Sequence, residues 1–127
     1  MANPETMSPL QAHRAELAAG RLVLQGCDAC GYVRPPAGWV CPQCLSERWH
    51  WAPIRGRGVV EGVTWYLQPL DPRFTDVPYN ATLVRLEEGV RLIANVEGVA
   101  PGQLQVGQAV AAHVAIGHQG HPVLAFR

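Results

Sequence analysis

The feature that most constrains this chain is a doubled C-x2-C pair: Cys27 and Cys30, ten residues, then Cys41 and Cys44. Each pair can deliver two sulfurs to one metal ion from a single tight turn. Two such turns complete a tetrahedron of thiolates with metal–sulfur distances near about 2.3 Å. Gly31, directly after Cys30, suits the left-handed turn that aims backbone N–H groups at sulfur, while the second turn has Leu45 at the matching place. Four sulfurs fill the coordination sphere. The spacing therefore predicts one structural, non-catalytic zinc ion held by Cys27, Cys30, Cys41 and Cys44, with iron as the other occupant that such a cage accepts. A segment this short buries too little apolar surface to fold alone, so the metal is expected to contribute folding energy. A redox pair of the thioredoxin type would need a C-x-x-C at a helix start, and both pairs here sit on turns.

The rest of the composition is that of a globular chain: 127 residues, 48% hydrophobic and 16% charged. No run approaches the length of a membrane span. The opening MANPETMSPL has neither the basic start nor the apolar centre of a secretory signal, so the expected location is cytoplasmic, where cysteines serve as ligands more often than as disulfides. All ten basic residues are arginine, against ten acidic residues. Four thiolates and one divalent ion bring the loaded chain near −2, which gives no general pull on nucleic acid.

Three stretches follow one another: 1–20, a tail and helix; 21–55, the metal ribbon; 56–127, a β domain. Residues 1–7 read as disordered. Ser8, Pro9 and Gln11 form a helix start, with Ser8 as cap, Pro9 in the first turn and Gln11 closing a capping box. That helix carries Leu10 and Leu17 as a thin apolar face and ends at Gly20. A short strand over 22–25 leads into the first cysteine pair, a Pro/Gly-rich loop over 31–40 separates the pairs, and a strand over 48–51 follows. From Gly56, five β-type runs are expected over 58–67, 79–86, 90–97, 109–116 and 122–126. In the third, Val90, Leu92, Ala94 and Val96 share one face; in the fourth, Val110, Ala112, Val114 and Ile116 do. Five short antiparallel strands suit a small closed barrel of the OB type, with a half-open sandwich as the alternative.

Beyond the cysteines the chemistry is sparse. His50 is a fifth ligand candidate that four cysteines make unnecessary. His118 and His121 flank a turn but are few ligands for a second metal site. There is no phosphate-binding glycine loop and no nucleophile elbow, and Ser8 and Ser46 are the only serines. Trp39, Trp49, Trp51, Trp65 and Tyr66 read as one aromatic cluster that fills the joint between ribbon and barrel, or else stacks on bases. Residues 21–57 hold Arg21, Arg34, Arg48, Arg55 and Arg57 against Asp28 and Glu47, a cluster able to meet phosphates or an acidic protein face. Residues 58–127 are net acidic by two.

An ordered set of motifs resembles the DUF35 family. Gly20-Arg21-Leu22 leads into Cys27-Asp28-Ala29-Cys30-Gly31, Pro35-Pro36 and Cys41-Pro42-Gln43-Cys44. Gly56-Arg57-Gly58-Val59-Val60, Pro78-Tyr79 and Leu86-Glu87-Glu88-Gly89-Val90-Arg91-Leu92 follow. Val106-Gly107-Gln108-Ala109-Val110 and Pro122-Val123-Leu124-Ala125-Phe126 close the series. The resemblance covers about residues 13–127. It implies a mainly β chain: an N-terminal helix, a rubredoxin-like zinc ribbon and a C-terminal five-stranded OB-fold barrel. It also implies an accessory subunit that docks on a thiolase-superfamily protein or a MaoC-like hydratase, in a hetero-oligomer with acyl-CoA at or near the shared interface. Such complexes act as thiolases or retro-aldolases in lipid, steroid or aromatic degradation. The subunit itself is expected to supply no catalytic group. The competing readings are a stand-alone single-stranded nucleic-acid binder and an independent acyl-CoA enzyme using Tyr79 or His113.

Overall fold

The computed structural model describes residues 7–36, 38–117 and 119–127. The disorder expected of residues 1–7 falls, apart from Met7, outside them. The described residues form two compact units that divide in sequence between Ile54 and Arg55. Among them no helix is long and apolar enough to cross a membrane.

The first unit opens with α1, Pro9–Ala18, and both ends are set by local chemistry. Ser8 Oγ accepts from the Gln11 N–H at 3.2 Å, and the Ser8 N–H donates to Gln11 Oε1 at 3.1 Å, which satisfies two donors a helix start leaves open. At the other end the N–H groups of Gly20 and Arg21 reach back to the carbonyls of Leu17 and Glu16. Gly20 at φ +82° makes that reversal without strain. The buried face differs from the expected one. Pro9, His13 and Leu17 are buried, four residues apart, whereas Leu10 is 45% exposed. Leu10 and Leu17 lie two turns apart, yet the buried stripe runs along the i, i+4 row instead.

The same unit contains a three-stranded antiparallel sheet with β1 (Val23–Cys27) between β2 (Val33–Arg34) and β3 (Trp49–Pro53). β1 is buried along its length, and it delivers Cys27 at its end. The His13 ring bonds the Val23 carbonyl at 2.9 Å through Nε2 and lies 5.6 Å from the Trp51 ring, so α1 is tied to this sheet. Trp51 in turn meets Trp49 edge-on at 4.6 Å.

The second unit is a five-stranded antiparallel sheet in the order β6-β5-β4-β7-β8, with β4 at Arg57–Tyr66, β5 at Tyr79–Leu86, β6 at Arg91–Ala94, β7 at Ala109–Ile116 and β8 at Pro122–Phe126. β6 is shorter than the expected 90–97, because Val96 leaves the ladder with β5 and bridges Phe126 in parallel. That bridge brings the two sheet edges together into a nearly closed barrel of the OB type. Asn80 holds the closure: its Nδ2 donates to the Val96 carbonyl at 2.8 Å, its Oδ1 accepts the Val96 N–H at 2.9 Å, and Thr82 Oγ1 donates to the same Oδ1 at 2.7 Å. The side-chain amide thus takes the place of a missing strand partner. Val60, Val84, Leu86, Leu92, Val110 and Phe126 fill the interior. Gly58 is required there, since a Cβ would stand 2.7 Å from Val84 Cγ1 and 2.8 Å from the Arg85 carbonyl oxygen. The inward face read from β7 is buried at Val110 but has left the core at Ile116, which is exposed.

Candidate metal centre

The two cysteine pairs fold into two copies of one backbone turn. In the first, the Gly31 N–H donates to the Cys27 carbonyl at 3.0 Å and the Cys27 N–H to the Tyr32 carbonyl at 2.9 Å. In the second, the Leu45 N–H donates to the Cys41 carbonyl at 2.9 Å and the Cys41 N–H to the Ser46 carbonyl at 2.9 Å. The reversal needs a positive φ at the residue after the second cysteine. Gly31 adopts +77°, and Leu45 adopts +65° despite its side chain. The second turn therefore has the geometry of the first, at a conformational cost that glycine would avoid.

These turns aim N–H groups at sulfur in matching order. Cys27 receives them from Cys30 and Ala29, Cys41 from Cys44 and Gln43, Cys30 from Tyr32 and Cys44 from Ser46. In each pair the first cysteine is buried and the second exposed. All four sulfurs lie within 4.8 Å of one another, with Cys27–Cys44 at 3.5 Å and Cys30–Cys41 at 3.7 Å. A tetrahedron with metal–sulfur bonds of about 2.3 Å has edges of roughly 3.8 Å. The donor set and spacing fit a four-coordinate metal ion.

The electrostatics lead to the same conclusion. The Cys30 N–H, with the Ala29 N–H and the neighbouring sulfurs, holds the Cys27 thiol down at about 6. At Cys44 the Ser46 N–H acts downward, but the other three sulfurs, Cys27 first, together with burial push the thiol up to about 12. Four thiols this close cannot all ionise at neutral pH without a cation among them. A cation bound among them would relieve that repulsion.

Around the cage the sequence had not marked every support. Gln25, fully buried, brackets the loop between the pairs: its Nε2 donates to the Gly38 carbonyl and its Oε1 accepts the Gly38 N–H, both at 2.9 Å. A lone glutamine in a strand carries no pattern that would reveal this. His50 is not brought into the cage. Its Nδ1 pairs with Asp28 Oδ1 at 2.6 Å, and among the described residues the ligand group comprises the four cysteines alone. The pair weighed as a second site, His118 and His121, falls outside the described residues through His118.

Trp49 and Trp51 belong to the ribbon, while Trp65 and Tyr66 lie on β4, where Tyr66 stacks on Tyr79 at 4.8 Å. Trp39 is 65% exposed. His113 Nε2 faces Glu97 Oε2 at 3.3 Å, and the Tyr79 ring contacts the rings of Tyr66 and Phe74.

A four-cysteine ribbon followed by a nearly closed five-stranded barrel defines a zinc-ribbon/OB-fold protein. Two family models match in tandem: "ChsH2, rubredoxin-like zinc ribbon domain" over residues 14–50 and "ChsH2, C-terminal OB-fold domain" over residues 51–115. A solved chain described as "Ltp2-ChsH2(DUF35) aldolase" superposes with a TM-score of 0.80 at 31% identity, covering 98% of each chain. The chain belongs to the DUF35 family. Two curated relatives are similar over shorter stretches. One is a "Probable enoyl-CoA hydratase alpha subunit" of Thermomonospora curvata, 40% identical over 71% of this chain. The other is a "DUF35 domain-containing scaffold protein" of Methanothermobacter thermautotrophicus, 29% identical over 66% of this chain. The matched stretches span 28% and 64% of those two proteins.

Proposed function

We propose that this chain is a non-catalytic accessory subunit that carries one structural zinc ion on Cys27, Cys30, Cys41 and Cys44. It docks on a thiolase-superfamily enzyme or a MaoC-like hydratase to complete an acyl-CoA-processing complex in the cytoplasm. Its relatives support an assembled role: one is described as a hydratase subunit, one as a scaffold and one as a component of an aldolase. The observation that carries the docking role is the apolar surface at the ribbon's turns. Trp39 and Leu45 are 65% and 75% exposed, with Tyr32 and Val40 also exposed. Large exposed apolar side chains in and beside metal-stiffened turns are anchors of the kind that interfaces bury. A cage with four protein sulfurs leaves no open position for water or substrate, so the ion supports the fold and chemistry falls to the partner.

The test is co-expression with a candidate thiolase-like or hydratase partner, followed by sizing chromatography and metal analysis. A complex that co-elutes at micromolar concentration with one zinc per copy of this chain supports the reading. Separate elution with each candidate refutes the docking role, and iron in place of zinc refutes the assignment of the ion.

A further inference from the structure

We infer that Arg34 is the built-in counter-cation of the four-cysteine cage. It does not ligate the metal; it holds the loaded, negatively charged site in the folded ribbon. Arg34 is 4% exposed, yet its Nε and Nη1 have no hydrogen-bond partner, and Nη2 reaches only the Gly38 carbonyl at 3.4 Å. Among the described residues no carboxylate pairs with it. A guanidinium stays charged in a protein, and a buried charge without an opposite charge is strongly disfavoured. The thiolate cage is the anion assigned to it here.

Strand register supports that assignment. Arg34 on β2 is paired with Gln25 on β1. Directly opposed residues of an antiparallel pair point to the same face, and so do residues two apart on one strand. Arg34, Gln25 and Cys27 therefore share the face of β1 that bears the cage. Gln25 and Arg34 both reach the Gly38 carbonyl, three residues before Cys41, which agrees with that placement. Four thiolates around a divalent ion carry a net charge of −2, and between the buried guanidinium and the buried Cys27 and Cys41 Coulomb attraction acts beyond hydrogen-bond range. The N–H groups of the turns spread this charge locally, and Arg34 balances it from the strand.

The inference rests on the proposed divalent ion, whose presence is tested separately by metal analysis of the unaltered protein. Two variants separate charge from hydrogen bonding. Arg34→Gln keeps a donor for the Gly38 carbonyl and removes the charge; Arg34→Lys keeps the charge and removes the planar fork. Each is loaded with zinc, and metal transfer to a chromogenic chelator is followed. The cobalt-substituted forms report cage geometry through their thiolate charge-transfer band. The expected result is release about ten-fold faster or more for Arg34→Gln, a size typical of outer-shell partners of metal ligands. Arg34→Lys stays within about three-fold of the unaltered protein, and both variants keep the cobalt band while loaded. Equal release from all three proteins would overturn the inference. So would equal acceleration in both variants, which would reduce Arg34 to a bracket for the loop.

Discussion

Leu45 sits in the second cysteine turn at φ +65°, with three quarters of its surface exposed. Replacing it with glycine separates its role in the fold from its role at the surface. A side chain in this left-handed region costs about 1–2 kcal/mol, which glycine relieves. Against that, glycine loses roughly 0.5–1 kcal/mol more conformational entropy on folding. The quarter of the leucine that is buried contributes about 0.5 kcal/mol of apolar transfer. The terms nearly cancel, so Leu45→Gly is expected to change ribbon stability by less than about 1 kcal/mol. Truncation of a core leucine costs about 2–5 kcal/mol. Docking should respond differently. Covering the exposed three quarters of a leucine stabilises a complex by about 1–2 kcal/mol, or roughly ten-fold in affinity. Metal competition on the isolated chain measures the first quantity, since folding and metal binding are coupled in such ribbons. Titration with the co-purified partner measures the second. Ribbon stability falling by more than about 2 kcal/mol would show that Leu45 packs within the ribbon. Unchanged partner affinity would show that it is not an anchor. Either result refutes the reasoning.

Asn80→Ala removes three buried hydrogen bonds and orphans both polar groups of Val96 and the Thr82 hydroxyl. The expected cost is about 3–5 kcal/mol of barrel stability, read by denaturant unfolding, and a loss below about 1 kcal/mol contradicts the closure role. Burial holds the His13 pKa below its ordinary 6.5, against weaker upward effects of the Val23 carbonyl and Glu16. The unfolded chain therefore binds the proton more readily, and this contribution is present above about pH 6.5 and lost as pH falls below it. His13→Gln should flatten that slope between pH 7.5 and 5 relative to the unaltered chain, and an identical slope contradicts the assignment. Removing the metal with a strong chelator is expected to unfold the ribbon while the barrel keeps its slowly exchanging amides, as hydrogen exchange would report. Protection lost equally in both units would contradict a folding role for the metal confined to the ribbon.

Local features were legible where one residue type serves one local geometry. The cap at Ser8, the reversals at Gly20 and Gly31 and the bounds of β5, β7 and β8 follow from short-range rules. Long-range choices were not. Nothing near Leu10 says that the helix buries His13 in its place, and nothing near Asn80 says that its amide completes a strand pairing sixteen residues away. The buried Arg34 is likewise invisible in a list of charges, where it counts as one more surface cation.

The sequence by itself determined the spacing of the four cysteines, the turn chemistry around them and the alternation along β5. Those depend on spacing and on covalent and steric limits that act within a few residues. Only the tertiary structure decided how the barrel closes, which helix face is buried, and which polar side chains are cut off from water. Those depend on desolvation and on register between distant strands, where small differences in packing choose among arrangements that local rules permit equally.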